Sequence, residues 1–274
     1  MSVAEVYCVD CTEGLSCLVA GSAAMTFLDL PYGVTANEWD VHVPIEVLWR
    51  QLRRVGRPDC VHVFTAVQPF TSLVVCSNLS WFRYEVIWKK NKTSGHLNAK
   101  RRPLRAHEDV LVFAEDEGVS HEDLVLFWDR EPAYVPQMTA GHRPMNAATR
   151  RSYSKNYGVQ QSTRAAAGTT LRYPTTVLEV PVVNNDDPAK WHPNQKPEAL
   201  PAHFIRTYTK PGDLVVEVAL GSGPAVRAAE RLGRRSVGFD TCAEYVERVR
   251  CDLEAIRFGE GLEVAVADGH LERP

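Results

Sequence analysis

Apolar and polar positions along this chain follow two kinds of pattern, which predict strands and helices in turn. Apolar runs at residues 4–9 and 23–28 predict two strands, and the second run leads into a Pro-Gly turn. At residues 44–55 the apolar side chains recur with helical spacing, which predicts a helix. Three further strands are predicted at residues 60–64, after a break at Gly56 and Pro58, and at residues 84–88 and 110–113.

The last third of the chain has a strand–helix–strand pattern. A helix is predicted at residues 197–208, followed by a strand at 214–218, a helix at 225–232 and a strand at 236–239. Strands that alternate with helices are typical of a mostly parallel sheet with flanking helices. The sequence therefore predicts an α/β fold, and 274 residues fit a single domain with insertions.

Composition and cysteine content exclude several classes of protein. No apolar run approaches the roughly eighteen residues that cross a bilayer, so no membrane segment is expected. The first residues lack the basic and apolar regions of a secretory signal, and seven cysteines, an odd number, favour free thiols in the cytoplasm. Cys8 and Cys11 form a C-x-x-C pair, but no second pair follows at zinc spacing, so no metal site is expected.

Charge is unevenly distributed along the chain. The net charge of −3 argues against a wholly basic nucleic-acid-binding protein. Residues 132–178, however, contain no Asp or Glu, and their weak periodicity is typical of a long loop or insertion. One basic face is therefore expected, although such charges can also serve only to keep a loop soluble. The basic residues are Arg143, Arg150, Arg151, Lys155, Arg164 and Arg172 here, and Lys89, Lys90, Lys92, Lys100, Arg101, Arg102 and Arg105 earlier in the chain.

A glycine turn follows the predicted strand at residues 214–218. Gly221-Ser222-Gly223 leads from this strand into the next helix, and Asp240 ends the strand after that. This arrangement suits a nucleoside-bearing cofactor, because the glycines let it approach the backbone while the carboxylate accepts two ribose hydroxyls. A tight turn without a ligand would also use glycine. The full G-x-G-x-x-G pattern is absent, which disfavours a dinucleotide.

A second candidate site lies at residues 29–33, D-L-P-Y-G. An exocyclic base amine is a poor nucleophile, because its lone pair is delocalised into the ring. A carboxylate and a backbone carbonyl that accept its two N–H bonds, here from Asp29 and Leu30, would favour the nucleophilic form. Pro31 would hold the chain extended, and Tyr32 offers a face on which a flipped base can stack. The bland alternative is a simple turn after a buried strand.

Together with a third motif, these sites resemble the amino-methylating DNA methyltransferases of the β group. Residues 29–33 resemble their catalytic D-P-P-Y motif, and residues 192–197, H-P-N-Q-K-P, resemble their H-P-x-Q-K-P cofactor motif. Residues 221–223 and the strand that ends at Asp240 resemble their F-x-G-x-G segment and the acidic strand after it. The catalytic motif precedes a variable region and the cofactor motifs come last, which is the permuted order of this group.

Further segments resemble a phage and prophage branch with a D-L-P-Y-G motif. These are N-E-W-D at residues 37–40, the run at residues 97–109 and P-Q-M at residues 136–138. The aspartate that begins the catalytic motif favours adenine, because related cytosine enzymes more often carry serine there. The resemblance implies a Rossmann-like fold, S-adenosylmethionine as cofactor, DNA as partner, and the cytoplasm of a bacterium or a phage-infected cell. A homodimer stays open.

The resemblance also assigns roles to residues. Asp29, Leu30, Pro31 and Tyr32 are expected at the target amine, and residues 115–190 are expected to form an inserted, basic target-recognition region within one methyltransferase domain, residues 1–274. The expected cofactor-binding residues are Asp10, Asn194, Lys196, Glu217, Gly221, Gly223 and Asp240, with Asp268 as an alternative to Asp10. The expected DNA-binding residues are Lys89, Lys100, Arg101, Arg102, Arg105, Arg143, Arg150, Arg151, Lys155, Arg164 and Arg172.

The glycine segment departs from the family pattern and leaves two alternatives open. Residues 217–224 read E-V-A-L-G-S-G-P, whereas the family usually has D-P-F-x-G-S-G-T. The acid is one methylene longer, an aromatic side chain is lost and proline replaces threonine. An adenine-N6 methyltransferase is the first expectation, with cytosine-N4 methylation as the alternative of the same chemistry. A catalytically inactive DNA-binding subunit is the alternative from another class.

Overall fold

The computed structural model describes residues 4–33, 43–115, 133–144, 152–154, 158–160 and 168–259. The described residues fall into two compact units. The larger unit is drawn from Met1–Val135 and Thr176–Gly261, and the smaller one contains the described part of Pro136–Thr175. Some residues named in the sequence analysis lie outside the described residues. They are the N-E-W-D segment at residues 37–40, the basic residues Arg150, Arg151, Lys155 and Arg164, and Asp268.

An eight-stranded sheet forms the centre of the larger unit. The strands are β1 (Ala4–Cys8), β2 (Ala23–Leu28), β3 (Gly56–Ala66), β4 (Phe82–Ser94), β5 (Arg105–Ala114), β8 (Val177–Glu179), β9 (Leu214–Glu217) and β10 (Arg235–Asp240). Their order in the sheet is β1-β10-β9-β2-β3-β5-β4-β8. The first five strands in this order are parallel to one another, β5 runs antiparallel to both of its neighbours, and β8 pairs in parallel with β4.

Helices cover both faces of this sheet. The helices are α1 (Cys11–Cys17), α2 (Ile45–Val55), α3 (Phe70–Ser77), α4 (Ala199–Tyr208), α5 (Pro224–Arg231) and α6 (Ala243–Arg257). Successive residues of β2 show why the sheet needs cover on both sides, since neighbouring side chains point to opposite faces. Phe27 packs in one apolar cluster and Leu28 in another, and both are fully buried. The predicted mostly parallel α/β fold is therefore observed.

The predicted break at Gly56 and Pro58 was wrong, because β3 begins at Gly56. The pairing of β3 with β2 is irregular here: Ala23 pairs with Gly56, but Met25 pairs with Val61. Proline cannot donate to a strand ladder, and a register shift accommodates it without ending the strand. Gly56 and Pro58 thus mark an irregular start of β3, not a break before it.

Two strands are longer than the apolar pattern indicates. β4 was expected at residues 84–88 and β5 at 110–113, but both continue as a polar antiparallel pair, with Lys89 opposite His107 and Ser94 opposite Arg105. Apolar periodicity detects only the part of a strand that faces the core. A short 3₁₀ turn at His96–Asn98 lies between the two strands.

The expected insertion at residues 115–190 contains a strand of the main sheet. β8 pairs with β4, and the indole nitrogen of Trp88 donates to the carbonyl oxygen of Val180 at 2.8 Å. In the smaller unit, β6 (Ser152–Ser154) pairs with β7 (Gly158–Gln160), and Thr139 forms an isolated bridge with Arg172.

The helices of the described residues are too short or too polar to cross a membrane. The same residues contain no group of three or more His, Cys, Asp or Glu side chains that could hold a metal ion. All seven cysteines, including Cys8 and Cys11, are free thiols.

Candidate active site

Four acidic residues lie at the carboxyl ends of neighbouring parallel strands. Asp10 follows β1, Asp240 ends β10, Glu217 ends β9 and Asp29 follows β2. Because these strands are parallel and adjacent, their carboxyl ends meet at one edge of the sheet, where open α/β folds bind ligands. The fold thus brings the residues of the two predicted sites to a single edge of the sheet.

The carboxylate of Asp29 is held through one of its two oxygens. Its Oδ1 accepts hydrogen bonds from the Thr65 hydroxyl at 2.6 Å, the Lys196 ammonium at 2.8 Å and the Tyr32 hydroxyl at 2.9 Å. Within the described ranges, Oδ2 has no hydrogen-bond partner in the protein. Three donors on one oxygen orient the carboxylate and leave the other oxygen able to accept a hydrogen bond.

Lys196 lies next to the D-L-P-Y-G motif. Its ammonium contacts Asp29 and lies 3.3 Å from Oε2 of Glu108, and its predicted role in cofactor binding stays a prediction. Only 9% of its side chain is exposed. Burial alone would lower the pKa of Lys196, but Asp29 and Glu108 outweigh burial and hold that pKa well above its ordinary value. The charged ammonium of Lys196 therefore forms a buried ion pair with Asp29 of the D-L-P-Y-G motif.

Glu108 and Lys90 complete this charged cluster, although neither of them was predicted from the sequence as a site residue. Glu108 lies on β5, opposite Trp88 of β4, and Lys90 lies two residues beyond Trp88 on the same face. The Lys90 ammonium contacts Oε1 of Glu108 directly. Burial opposes ionisation of Glu108, yet Lys196 and Lys90 together lower its pKa. The opposite charges of Lys90 and Glu108 on two neighbouring strands are a signal that the sequence contains. Their contact with Lys196 could not be predicted, because Lys196 is remote from both in the sequence.

Tyr32 points its hydroxyl group into the same cluster. Its ring is partly buried against Phe70, with the ring centroids 5.5 Å apart, and the Lys196 ammonium lies 5.4 Å from the ring centroid. Burial, reinforced by the negative charge of Asp29, raises the pKa of Tyr32 well above its ordinary value. Tyr32 is thus a neutral donor to Asp29. The neighbouring Leu30 side chain is buried in the core, which anchors the backbone of the motif.

The glycine turn and Asp240 support each other. The amide nitrogen of Gly221 donates to Oδ2 of Asp240 at 2.8 Å, and the amide of Cys242 donates to Oδ1 at 2.9 Å. Gly221 and Gly223 have φ angles of 49° and 66°, which favour glycine. A Cβ on Gly223 would lie 2.7 Å from a methyl group of Val249 on α6. This turn therefore requires glycine both for its conformation and for its packing.

The Glu217 carboxylate faces the first turn of α5. Its oxygens accept hydrogen bonds from the amides of Ala225 at 3.1 Å and Val226 at 2.9 Å. Burial raises its pKa to about 8, against these amides, which lower it. The extra methylene thus lets the acid reach the start of the helix, where Pro224 occupies a position that tolerates proline. The predicted role of Glu217 in cofactor binding stays a prediction.

Asp10 also has backbone partners. Its Oδ1 accepts from the amide and the hydroxyl of Thr12 and from the amide of Glu13, which makes it the N-cap of α1. These hydrogen bonds, chiefly that from the Thr12 hydroxyl, lower the pKa of Asp10 and outweigh the opposing effect of desolvation. The predicted role of Asp10 in cofactor binding stays a prediction.

His192 brings the H-P-N-Q-K-P segment to the glycine turn. A Cβ on Gly221 would lie 3.7 Å from the His192 ring, and the ring centroid of Tyr245 on α6 lies 4.7 Å from that of His192. The Asn194 side chain is exposed, and the backbone amide of Asn194 donates to Nδ1 of His192 at 3.2 Å. Half-buried Asp240, an open glycine turn and two aromatic rings fit a nucleoside-bearing cofactor with a charged end.

Some of the candidate DNA-binding side chains are exposed, whereas others contact groups of the protein. Lys100, Arg101, Arg102 and Arg143 are exposed. Lys89 pairs with Glu179 at 2.7 Å, and Arg172 donates to backbone carbonyl oxygens, including that of Arg143 at 2.6 Å. Arg105 is partly buried. The described residues thus include exposed cations on the β4–β5 hairpin and in the smaller unit.

Comparison with known proteins identifies relatives over nearly the whole chain. The type II methyltransferase M1.MboII of Moraxella bovis is 22% identical over 270 residues, which cover 93% of this chain and 98% of that protein. The solved structure of PvuII DNA methyltransferase, described as cytosine-N4-specific, has a TM-score of 0.62 and 17% identity. It covers 97% of this chain and 89% of its own chain.

Other solved structures have the same fold. The M1.HpyAVI complex with S-adenosylmethionine has a TM-score of 0.56 at 17% identity and covers 91% of this chain and 99% of its own. A putative DNA modification methylase of Thermus thermophilus, solved with S-adenosyl-L-methionine, has a TM-score of 0.55 at 15% identity, covering 92% and 95%. The fold of this chain is therefore that of S-adenosylmethionine-dependent methyltransferases.

A family model decides the assignment. The N6_N4_Mtase model, described as DNA methylase, matches residues 24–250, which include both glycine turn and catalytic motif. The chain therefore belongs to the N6/N4 family of DNA methylases, enzymes that use S-adenosylmethionine as the methyl donor.

Proposed function

We propose that this chain methylates the exocyclic N6 amine of adenine in DNA, with Asp29 as the acceptor that activates the amine. The observation that carries the proposal is the unequal use of the two Asp29 oxygens. Oδ1 accepts from Thr65, Lys196 and Tyr32, whereas Oδ2 has no protein partner among the described residues. An amine N–H can therefore donate to Oδ2, and its second N–H to the Leu30 carbonyl.

The surrounding residues explain how this carboxylate acts. Bound S-adenosylmethionine supplies an electrophilic methyl group on a positively charged sulfur. Accepting both N–H bonds of the amine concentrates its lone pair on nitrogen, which then forms the new N–C bond as the C–S bond breaks. The methylated nitrogen must release one proton, and Oδ2 of Asp29 is the acceptor that we place beside it. The Lys196 ammonium balances the charge of the carboxylate before this step.

Adenine is favoured over cytosine by the residue that begins the motif. The D-L-P-Y-G motif has Asp29 where related cytosine enzymes more often have serine, and it resembles the motif of a phage and prophage branch. The replacement of proline by Leu30 leaves the carbonyl in place, and the side chain is buried in the core. Cytosine-N4 methylation is the second candidate, because the PvuII enzyme of similar fold is described as cytosine-N4-specific.

Cofactor binding is proposed for the residues around the glycine turn. Asp240 would accept the ribose hydroxyls, Gly221 and Gly223 would leave room for the methionine portion, and Asp10 would lie beside the adenine. Asn194 would contact the carboxylate. We assign Lys196 to Asp29 and Glu217 to the start of α5 instead, because their charged groups contact those elements.

DNA binding is proposed for the basic insertion and for the β4–β5 hairpin. Residues 115–190 would form the target-recognition region of one methyltransferase domain, residues 1–274. The target base would be flipped out of the duplex, since a stacked and paired amine cannot reach Asp29. The residues concerned are Lys89, Lys100, Arg101, Arg102, Arg105, Arg143, Arg150, Arg151, Lys155, Arg164 and Arg172.

Mass spectrometry of the product tests this function. Purified protein is incubated with S-adenosylmethionine and unmethylated DNA, and the DNA is then digested to nucleosides. The expected product is N6-methyl-2′-deoxyadenosine. If N4-methyl-2′-deoxycytidine forms instead, the target base is cytosine and not adenine. If neither forms but calorimetry detects DNA binding, the inactive-subunit alternative holds.

A further inference from the structure

We propose that Glu108 and Lys90 are positioning residues that hold the Lys196 ammonium on Oδ1 of Asp29, so that Oδ2 stays directed at the target amine. The inference rests on the proposed role of Asp29. It extends the catalytic machinery from the D-L-P-Y-G motif to the inner end of the β4–β5 hairpin. Neither residue is expected to touch the substrate.

The four charged groups form a continuous chain. Lys90 contacts Oε1 of Glu108, Oε2 of Glu108 lies 3.3 Å from the Lys196 ammonium, and that ammonium lies 2.8 Å from Oδ1 of Asp29. The charges alternate in sign along this chain, and two cations balance two anions. Each carboxylate oxygen of Glu108 therefore contacts a different lysine.

Burial of these charged side chains opposes folding, which indicates that the cluster serves another purpose. The exposed fractions of the Lys90, Glu108 and Lys196 side chains are only 11%, 13% and 9%. Desolvating charges opposes folding, and a buried ion pair often contributes less stability than apolar residues of the same volume. Fold stability alone therefore explains the cluster poorly, whereas a need to orient Asp29 explains it well.

Glu108 is a second carboxylate that attracts the ammonium of Lys196. Oε2 of Glu108 lies 3.3 Å from this ammonium and 3.5 Å from the Tyr32 hydroxyl. Without this second carboxylate, the ammonium would be attracted by Asp29 alone and could bridge both of its oxygens. Oδ2 would then be occupied by lysine, and the amine would lose its acceptor.

The same geometry predicts opposite pH effects for the two positioning residues. The titratable groups that face Lys196 are Asp29, Glu108, Tyr32 and His192. Asp29 and Glu108 raise the pKa of Lys196, so Glu108→Gln removes one of the raising charges and Lys196 loses its proton at lower pH. Lys90 lowers the pKa of Glu108, so Lys90→Met makes Glu108 take up a proton at higher pH.

The first experiment records kcat against pH under single-turnover conditions. Glu108→Gln should lower kcat at neutral pH by about tenfold, the loss expected for one charge-assisted hydrogen bond, and should move the alkaline limb to lower pH. Lys90→Met should move the acidic limb to higher pH. Glu108→Asp should keep the alkaline limb near its wild-type position, and calorimetry should find cofactor affinity unchanged in all three variants.

Matched controls come from the same sheet and from a surface loop. Glu85→Gln removes an acid from β4, and Lys210→Met removes an exposed lysine; both should have wild-type pH profiles. A purely structural role for Glu108 would lower kcat by the same factor at every pH and leave both limbs in place. That result would overturn the inference.

A second measurement does not depend on activity. The titration of Lys196 can be followed by NMR of lysine labelled with carbon-13 at Cε, with Lys196→Met to assign the signal. The Lys196 pKa should fall in Glu108→Gln and be unchanged in Glu85→Gln. An unchanged Lys196 pKa in Glu108→Gln would refute the positioning role of Glu108, even if the protein transferred no methyl group. A lowered Lys196 pKa in a protein that transfers no methyl group would refute only the proposed function.

Discussion

The Lys196 ammonium lies 2.8 Å from Oδ1 of Asp29 and joins two motifs that are far apart in the sequence. Asp29 follows β2 near the start of the chain, and Lys196 lies in the segment before α4. One motif would therefore supply the acceptor for the target amine, and the other the cation that orients this acceptor.

Asp29→Ala should abolish methyl transfer, because the target amine loses its charged acceptor. Activity should fall below a few per cent of wild type, while the dissociation constant for S-adenosylmethionine should change less than twofold. Labelled methyl transfer to DNA and calorimetry measure the two effects, with Asp29→Asn as the isosteric control. Substantial residual activity in Asp29→Ala would show that another group activates the amine.

Tyr32→Phe and Tyr32→Ala should separate the two functions of the tyrosine. Phe keeps the ring but removes the hydroxyl that donates to Asp29 at 2.9 Å, so kcat should fall by about tenfold, as one hydrogen bond to a charged group implies. Ala also removes the face for the flipped base, which costs a further ~1–3 kcal/mol. Single-turnover rates measure both changes. Equal rates for the two variants would exclude base stacking on Tyr32.

Asp240→Asn should weaken cofactor binding, because two ribose hydroxyls lose a charged acceptor. The loss of ~1.5–3 kcal/mol corresponds to a dissociation constant roughly 10- to 150-fold higher, measured by calorimetry. Asp240 also accepts from the amides of Gly221 and Cys242, so thermal unfolding must confirm that the variant is folded. Unchanged cofactor affinity in a folded variant would place the ribose elsewhere.

Glu217→Gln should change how stability depends on pH. The pKa of Glu217 is raised from 4.5 to about 8, so the unfolded chain ionises at this position before the folded one does. The stabilising contribution of the neutral acid is complete below about pH 4.5 and is lost as pH rises through about 8. Each pH unit in this window lowers the free energy of unfolding by up to about 1.4 kcal/mol. Urea unfolding should show this decline in wild type and a smaller one in Glu217→Gln.

Salt dependence tests the proposed DNA-binding surface. Each phosphate contact contributes about 0.9 to the slope of log affinity against log salt, so a double variant that removes two contacts should flatten the slope by about two units. Arg101→Gln with Arg102→Gln tests the hairpin, and Arg150→Gln with Arg151→Gln tests the insertion. Binding is measured on cognate and scrambled duplexes. If both double variants keep the wild-type slope, neither segment contacts phosphates.

The sequence by itself was sufficient for the fold class and the main motifs. Apolar periodicity located β2 at its exact bounds and α2 within one residue, because buried faces repeat with the period of the element. The order of the motifs also led to the family that residues 24–250 match. Local chemistry was enough here, since strand ends, glycine turns and short motifs depend on neighbouring residues.

The tertiary structure alone decided which charged groups meet. Glu108, Lys90 and Lys196 lie on separate elements, and no sequence spacing indicates that β5, β4 and the segment before α4 converge on Asp29. Glu217 likewise reaches the amides of Ala225 and Val226 because α5 folds back beside β9. Electrostatic partners depend on distance in space, and only the packing of the sheet and its helices sets that distance.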